Sequence, residues 1–431
     1  MLLIAFSAAI LWMTEAFPIG VTALAIIFLE AIYGILPLAK GLALIANPVN
    51  SVVLVGYLLA GVLVSSGMDK RLTLVIISKM GEQTSKIILG IMIATAFLSM
   101  WMSNTATVAI MVPIAAGILA MAGAKPLKSN FGKALFIGIA FAANIGGMGT
   151  PTGTPANPIA IALIEKLAGV QLTFLDWMVR AIPLVIVLIP LAWILLQKVY
   201  PLEIKKVEGG LEAVNKELKE MGPINKKEKK VMFLFATAII LWLMDSFVPL
   251  PSDWIYIVAV FLTLLILTPK IGFMKWKEAQ KLIGWDIFFL VGGGLAMGAG
   301  LMSSGAIKWI ADLLSSGLGN MNEGIAIALI SAATGLAISV FCSLSGTATT
   351  FVPIAIVLAL SFGWDPIAFG VAAGLSSSFA YLLPANAAPN AIAYGAGYFK
   401  TSDMLKVGAI FMVVAILVEG LLAGFIMPIF F

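Results

Sequence analysis

The chain has 431 residues, of which 61% are hydrophobic and only 11% are charged. This composition excludes a soluble globular protein and predicts an all-α polytopic membrane protein, because a soluble chain of this length cannot keep so much apolar surface dry. The single cysteine, Cys342, excludes an internal disulfide, and the absence of histidine excludes histidine metal sites and histidine proton relays. No nucleic-acid partner is predicted, since the net charge of +5 is distributed over loops between apolar stretches.

Ten apolar stretches, of which the first is 1–16 and the last 407–429, are long enough or nearly long enough to span a bilayer. Two further apolar segments, 87–122 and 322–361, carry the polar tips "SNTAT" and "SLSGTAT" and are interpreted as re-entrant helical hairpins. The loops on one side of the membrane then contain all of the 26 Lys and Arg residues except Lys40, Lys166, Arg180 and Lys308. Basic loops are typically cytoplasmic, so this side is predicted to face the cytoplasm, with the protein in the plasma membrane.

The longest polar stretch, residues 201–230, is rich in lysine and is predicted to be a cytoplasmic linker between two halves, 1–200 and 231–431. A lipid-binding role is an alternative for so basic a segment, but a plain connector is the preferred interpretation. The lipid bilayer is the partner that the composition itself predicts.

The two halves resemble each other in sequence. "VLVGYLLAGVLVSSGMDK" at 53–70 is similar to "FLVGGGLAMGAGLMSSGAIK" at 289–308, and "GTPTGTPANPIA" at 149–160 is similar to "LLPANAAPNAIA" at 382–393. Each half is predicted to contain five spans, one hairpin and one broken helix, the broken helices covering about 134–166 and 364–398. Because five is odd, the second half enters the membrane from the opposite face, which is the inverted repeat of secondary transporters.

The glycines and prolines of "GGMGTPTGTPANP", residues 146–158, prevent a continuous helix. A broken helix at membrane depth is tolerated only where protein or a water-filled cavity surrounds it. Its free carbonyls, with Ser and Asn oxygens, suit a sodium ion, and its free N–H groups suit an anion. The sequence therefore predicts a shared site for sodium and an anion that needs no lysine or arginine.

At these residues the chain resembles the divalent anion/sodium symporter family, which includes dicarboxylate, citrate and sulfate carriers. The resemblance is carried by "WMTEAFP" at 12–18, "SNTAT" at 103–107, "GTPAN" at 153–157 and "PN" at 389–390. It implies a homodimer in which a transport domain moves like an elevator against a fixed scaffold domain. It also implies that sodium binds before a small anionic substrate.

The resemblance also implies particular site residues. A first sodium site would contain Ser99, Ser103, Asn104 and Gly153. A second would contain Ser339, Ser343 and Asn386. The substrate would be bound by Asn104, Thr105, Thr154, Ser343, Ser345, Gly346, Thr347, Asn386 and Ala387.

The second half departs from the family pattern. Aligned without a gap, the second hairpin has Leu344 where the family has its second asparagine; an alignment with a two-residue deletion puts Gly346 there instead. The Thr-Pro of the second break is replaced by Ala387 and Ala388. These changes weaken the prediction of the second sodium site and of the usual dicarboxylate contacts. Members of the family usually have eleven spans, and this chain begins about one span later than they do.

The leading hypothesis is a sodium-coupled symporter for a divalent anion, with a C4 dicarboxylate such as succinate or malate favoured over sulfate. The alternative within transport is an efflux carrier for an inorganic oxyanion or arsenite. An enzyme is disfavoured because the sequence has no histidine, no paired acidic metal motif and no nucleophile–base arrangement. A channel is disfavoured because paired hairpins in an inverted repeat form an alternating site instead of a continuous pore.

Overall fold

The structure, a computed structural model, describes residues 1–14, 16–306, 309 and 321–426. The helices of the first half are α1 (Leu2–Thr14), α2 (Ile19–Ile32), α3 (Leu38–Ala43), α4 (Val49–Ser66), α5 (Met68–Ser78), α6 (Thr84–Ser99), α7 (Asn104–Met121), α8 (Asn130–Gly147), α9 (Ala156–Ala168) and α10 (Phe174–Val199). α11 (Gly210–Glu220) lies in the predicted linker. The second half contains α12 (Lys226–Met244), α13 (Trp254–Leu267), α14 (Trp276–Leu282), α15 (Trp285–Ser303), α16 (Glu323–Phe341), α17 (Leu344–Phe362), α18 (Pro366–Ser376), α19 (Ala388–Gly395) and α20 (Thr401–Leu421).

Seven helical segments within the described ranges are long and apolar enough to cross a membrane. They are Leu38–Ser66, Asn104–Met121, Phe174–Val199, Trp285–Ser303, Glu323–Phe341, Leu344–Phe362 and Thr401–Gly424. Several shorter apolar helices, α2 and α13 among them, accompany these. Residue 15 of the first predicted span, residues 427–429 of the last, and Lys308 lie outside the described residues.

The two predicted hairpins correspond to helix pairs joined by short turns. α6 ends at Ser99 and α7 begins at Asn104, after Ser103 caps its N-terminus by accepting a hydrogen bond from the Ala106 N–H at 3.3 Å. α16 and α17 are separated only by Cys342, whose φ of 50° is left-handed, and Ser343. That each pair enters and leaves the membrane on one side stays a prediction.

Both predicted broken helices are interrupted. α8 ends at Gly147 and α9 begins at Ala156, whereas α18 ends at Ser376 and α19 begins at Ala388. The residues of both interruptions are mostly buried, so their backbone polar groups need partners within the protein. Buried asparagine side chains supply several of those partners, as described below.

Helices of the first half pack against helices of the second half. α2 of the first half packs against α15 of the second, and α4 packs against α13. In the same manner α7 packs against α19, and α17 packs against α9. The second arm of each predicted hairpin therefore packs against the helix that follows the other interruption.

The linker is anchored to both halves. Arg71 on α5 donates from Nε to Glu228 Oε1 on α12 at 2.7 Å, and from Nη1 to the Gly222 carbonyl at 2.9 Å. Val207 and Lys205 form backbone hydrogen bonds with Glu82 and Thr84, next to the start of α6. The linker thus connects the base of the first hairpin with the start of the second half.

Candidate functional site

The end of α6 and the start of α7 form the first part of the candidate site. The Ser99 hydroxyl lies 2.8 Å from Asn104 Oδ1 and 2.8 Å from the Ala143 carbonyl, so its one proton can serve either acceptor. Asn104 donates from Nδ2 to Asn144 Oδ1 at 3.4 Å. Ser99 is 0% and Asn104 5% exposed, so these polar groups depend on one another.

Glycines leave room for several oxygens to converge between the hairpin and the first break. A Cβ built on Gly153 would lie 2.4 Å from the Gly147 carbonyl oxygen and 2.9 Å from that of Ser99. A Cβ on Gly147 would lie 2.2 Å from Asn104 Oδ1. Only glycine fits at either position, and the nearest atom in each case is a carbonyl or amide oxygen. Carbonyl and amide oxygens at a broken helix are the ligands that transporters use for sodium, so these residues fit that ion.

The side of the first break that faces the hairpin tip forms a cleft. Its lining residues are Val53, Gly56, Tyr57, Ser103, Pro151, Thr152, Gly153, Thr154, Pro155 and Pro158. The Thr154 hydroxyl is buried and has no hydrogen-bond partner among the described residues. Thr105, in contrast, is exposed at the tip. A buried hydroxyl without a partner has a free donor for a bound anion.

Two asparagines hold the two breaks in the same way. Asn157 donates from Nδ2 to the Gly147 and Thr150 carbonyls, ten and seven residues earlier, at 2.8 and 2.7 Å. Asn390 donates from Nδ2 to the carbonyls of Ala380 and Leu383, again ten and seven residues earlier, at 2.7 and 3.1 Å. This shared pattern aligns Asn157 with Asn390.

That register decides which residues of the two breaks correspond. Counting back from the paired asparagines, Ala387 corresponds to Thr154, and Asn386 corresponds to Gly153. Both Asn386 and Ala387 are buried. The second break therefore has no hydroxyl where the first has Thr154, and a side chain where the first has none.

The second hairpin repeats the capping of the first without a gap. Ser343 Oγ accepts from the Gly346 N–H at 3.1 Å, and the Thr347 hydroxyl donates to the Ser343 carbonyl at 2.8 Å. The Thr107 hydroxyl donates to the Ser103 carbonyl in the same way, at 3.2 Å. This geometry favours the ungapped alignment, with Leu344 in the place of Asn104.

Other second-half candidates lie in the two arms of this hairpin, α16 and α17. Ser345, Gly346 and Thr347 are buried in the first turn of α17. The Ser339 hydroxyl is buried and has no hydrogen-bond partner among the described residues. The structure thus places the second-half candidates in the second hairpin and the second break.

Asn144, which sequence reasoning missed, joins the two halves of the site. Its Nδ2 donates to Asn390 Oδ1 at 2.9 Å and lies 3.3 Å from the Ala380 carbonyl. The available signal was an asparagine inside the otherwise apolar "FAANIGG" at 141–147. A fully buried amide in a membrane helix needs polar partners, and here they belong to both halves.

A larger cavity continues from the hairpin tip toward the basic loops. It shares Tyr57 and Ser103 with the cleft at the first break, and Lys227 and Glu278 lie at its far end. The Lys227 ammonium donates to the Ser65 carbonyl at the end of α4. The cavity therefore extends from the hairpin tip to the start of α12.

Nothing in the described part of the chain resembles an enzymatic metal centre, since no three Cys, Asp or Glu residues are grouped closely enough to hold an ion. The described residues instead form an all-helical membrane protein whose polar helix interruptions meet in its interior. This is the class of secondary transporters.

Residues 1–430 match the family described as the sodium:sulfate symporter transmembrane region, and the chain belongs to that family. The predicted membership in the divalent anion/sodium symporters is thereby confirmed. The protein is a multi-pass membrane transporter, not an enzyme, and sodium-dependent transport is the activity of its family.

The chain is similar to sodium-dependent dicarboxylate transporters of staphylococci. It is 33% identical to that of Staphylococcus saprophyticus over 441 residues, covering 97% of this chain and 84% of the relative. It is 32% identical to that of Staphylococcus aureus strain USA300 over 439 residues, with the same coverage.

Two solved structures share the fold. The Neisseria gonorrhoeae MtrF structure aligns with a TM-score of 0.64 at 14% identity, over 93% of this chain and 85% of the other. The Alcanivorax borkumensis YdaH transporter aligns with a TM-score of 0.56 at 13% identity, over 88% and 85%. At such identities the likeness concerns the fold alone, and it confirms the prediction of an all-helical, multi-span membrane protein.

Proposed function

We propose that the protein is a sodium-coupled symporter of a divalent anion and that a C4 dicarboxylate such as succinate or malate is its substrate. The observation that carries this proposal is the group of oxygens around Gly153, next to the unpartnered hydroxyl of Thr154. One end of the site suits a cation and the adjoining end suits an anion. The named activity of the staphylococcal relatives supports the dicarboxylate.

Sodium is proposed to bind among Ser99, Ser103, Asn104 and Gly153. The anion is proposed to bind beside it, in contact with Asn104, Thr105 and Thr154 from the first half. Because the Asn104 amide has both an oxygen acceptor and N–H donors, it can contact the ion with one end and support the anion with the other. Bound sodium would then offset the charge of the anion, and this mutual attraction is the proposed basis of coupling.

The second half is proposed to complete the anion site with the first turn of α17, residues 344–347, and with the backbone near Ala387. Helix N-termini carry partial positive charge and unpaired N–H groups, which attract anions. The second arm of each hairpin, α7 or α17, begins at the hairpin tip. Ser103 caps the N-terminus of α7, and Ser343 caps that of α17.

We further propose that the hairpins and broken helices move together as the transport domain of a homodimeric elevator. Seven helices pack mainly with one another: α6, α7, α8, α9, α17, α18 and α19. The other arm of the second hairpin, α16, packs against α17 and α18. In contrast, α2 packs with α15, and α4 packs with α13. The second group is proposed as the scaffold. With the linker on the cytoplasmic side, the cavity that ends at Lys227 would make this the inward-facing state.

Sulfate is the second candidate substrate. The specific observation in its favour is Ala387, which lacks the hydroxyl that Thr154 offers in the corresponding place of the first break. A smaller anion needs fewer contacts from the second half. An efflux carrier for an inorganic oxyanion or arsenite remains the alternative from the sequence.

The proposal is tested by uptake of labelled succinate and labelled sulfate into proteoliposomes, with an inward sodium gradient or with potassium in its place. We expect succinate uptake that requires sodium and is competed by unlabelled malate. Sodium-dependent uptake of sulfate but not succinate would transfer the assignment to sulfate. Uptake of either anion without sodium, or of neither, would contradict the proposed symport.

A further inference from the structure

We infer that the second half binds no sodium ion at the place that corresponds to the first sodium site, and that the side chain of Asn386 fills that place. This inference rests on the proposed function, because it concerns how many sodium ions accompany the anion. The template is supplied by this chain itself, since the first half contains the same hairpin and break with a different residue at the decisive position.

The correspondence between the two sites follows from hydrogen bonds. Asn157 and Asn390 each donate to carbonyls ten and seven residues earlier, so the two breaks are held in the same register. In that register Asn386 stands where Gly153 stands, and the Ala380 carbonyl stands where the Gly147 carbonyl stands. The ungapped capping of the hairpins likewise puts Leu344 opposite Asn104.

The space at the two positions differs. Around Gly153 the carbonyl oxygens of Gly147 and Ser99 lie so close that even a Cβ would meet them at 2.4 and 2.9 Å. Asn386 introduces a complete side chain at the corresponding point, and that side chain is 0% exposed. The second break therefore cannot close its carbonyls around an ion in the manner available to the first.

The polarity at the two positions differs as well. Asn386 Oδ1 accepts from the Leu383 N–H at 2.8 Å, which fixes the amide orientation, since a flipped amide would set two donors against each other. Its Nδ2 is consequently the free end, buried and without an acceptor among the described residues. An amide N–H₂ group repels a cation and needs an acceptor, whereas Leu344 supplies no side-chain oxygen.

The second half thus presents a hydrogen-bond donor where the first presents oxygen acceptors. A buried donor without an acceptor is costly, and an oxygen of the bound anion is the acceptor that this site would receive. Asn386 then contributes to anion binding through Nδ2, and the coupling ion of this pair of sites is held by the first half alone.

The test is a sodium titration of anion uptake into proteoliposomes at constant ionic strength. Wild type is compared with the double variant Leu344→Asn/Asn386→Gly, which copies the first-half residues into the second half. We expect a Hill coefficient for sodium of about one in wild type and of about two in the double variant. The matched control, Asn130→Gly at the start of α8, makes the same chemical change away from the site and should keep the wild-type value.

A wild-type coefficient of about two would overturn the inference, and this measurement does not depend on whether the variant folds. A folded, active double variant with an unchanged coefficient would overturn it too, because Leu344 and Asn386 would then not be what prevents the second ion. Uptake that shows no sodium dependence in wild type would contradict the proposed symport itself, which is a distinguishable result.

Discussion

Asn144 Nδ2 donates a hydrogen bond to Asn390 Oδ1 at 2.9 Å, although the two residues are 246 positions apart. Asn144 Oδ1 in turn accepts from Asn104 Nδ2 at 3.4 Å. A continuous chain of buried amides therefore runs from the first hairpin tip, through the first broken helix, to the second break. Both halves of the site share these hydrogen bonds. We therefore expect a substitution in one half to alter the geometry of the other.

Replacing Asn144 should disturb both ligands together. Asn144→Ala would leave the Asn390 oxygen and the Asn104 amide without their partners, and an unsatisfied buried polar group costs about 1–3 kcal/mol. We expect the apparent affinities for sodium and for the anion each to fall by about tenfold. Kinetics of succinate uptake at varied sodium measure both. If only one affinity changed, the amide chain would not link the two half-sites.

The proposed binding of sodium at the first site requires that Gly153 has no side chain. Gly153→Ala would place a methyl group 2.4 Å from the Gly147 carbonyl oxygen, so the oxygens must move apart. We expect sodium-dependent uptake to fall by at least about tenfold, since charge-assisted contacts are worth about 1.5–3 kcal/mol.

Gly117→Ala is the matched control for that change, because a Cβ on Gly117 in α7 meets nothing within 4 Å. It should keep uptake and raise thermal stability, since Ala is preferred over Gly in a helix by about 1 kcal/mol. Equal losses in the two variants would show that uptake is generally sensitive to glycine replacement and that Gly153 has no special part.

We predict that the Thr154 hydroxyl contributes to the binding of the anion and little to the binding of sodium. Thr154→Val keeps the shape but removes the donor, and a hydrogen bond to a charged group is worth about 1.5–3 kcal/mol. The Michaelis constant for succinate should rise by about tenfold or more. The half-saturating sodium concentration, measured at saturating succinate, should change little.

Thr263→Val is suitable as the control, because the Thr263 hydroxyl donates to the Ala259 carbonyl of its own helix, at 2.9 Å. A Michaelis constant for succinate that stays at the wild-type value in Thr154→Val would remove this residue from the anion site.

Lys227 is expected to attract anions into the cavity that leads to the site. Lys227→Gln should raise the half-saturating anion concentration on the linker side a few-fold at low ionic strength. The difference should shrink in high salt, because exposed charges are screened over about 10 Å at 0.1 M. Lys229→Gln, which removes an exposed lysine outside this cavity, should have little effect. An effect of Lys227→Gln that is independent of salt would argue against electrostatic attraction.

The buried pair of Arg71 and Glu228 should stabilise the junction of linker and second half. Burial by itself raises the pKa of Glu228, but hydrogen bonds from Arg71 and from the Asn225 N–H, together with the Arg71 charge, outweigh it, so the pKa lies below its usual 4.5. A lowered folded-state pKa means stability that is present above the unfolded pKa and lost as the pH falls through the folded value.

Glu228→Gln should therefore lower the melting temperature of the purified protein at pH 7, as breaking a buried ion pair costs about 3–5 kcal/mol. The difference from wild type should begin to narrow as the pH falls below the usual value of 4.5, and it should be lost as the pH falls through the lower pKa of folded Glu228, where the folded protein loses this charge. Glu217→Gln is the control, because its partner Lys70 and Glu217 itself are nearly half exposed. A gap between Glu228→Gln and wild type that is constant with pH would contradict the role of the charge.

Much of the helical framework follows from local physics and could be read from the sequence. Glycine and proline interrupt helices wherever they cluster, so "GGMGTPTGTPANP" predicts the break that the structure has between Gly147 and Ala156. Ser103 is the N-cap of α7, and serine is among the residues preferred at that position. Composition alone indicates a membrane protein, because apolar residues in this proportion need a lipid environment.

Only the tertiary structure decides which polar groups meet. The pairing of Asn144 with Asn390 depends on how two distant helices pack, and nothing local to either residue specifies it. The alignment of Leu344 with Asn104, left open by the sequence, is decided by matching N-cap hydrogen bonds. The placement of Asn386 opposite Gly153 is decided in the same way by the hydrogen bonds of Asn157 and Asn390. Local sequence sets where a helix stops, but long-range packing sets which buried groups satisfy one another.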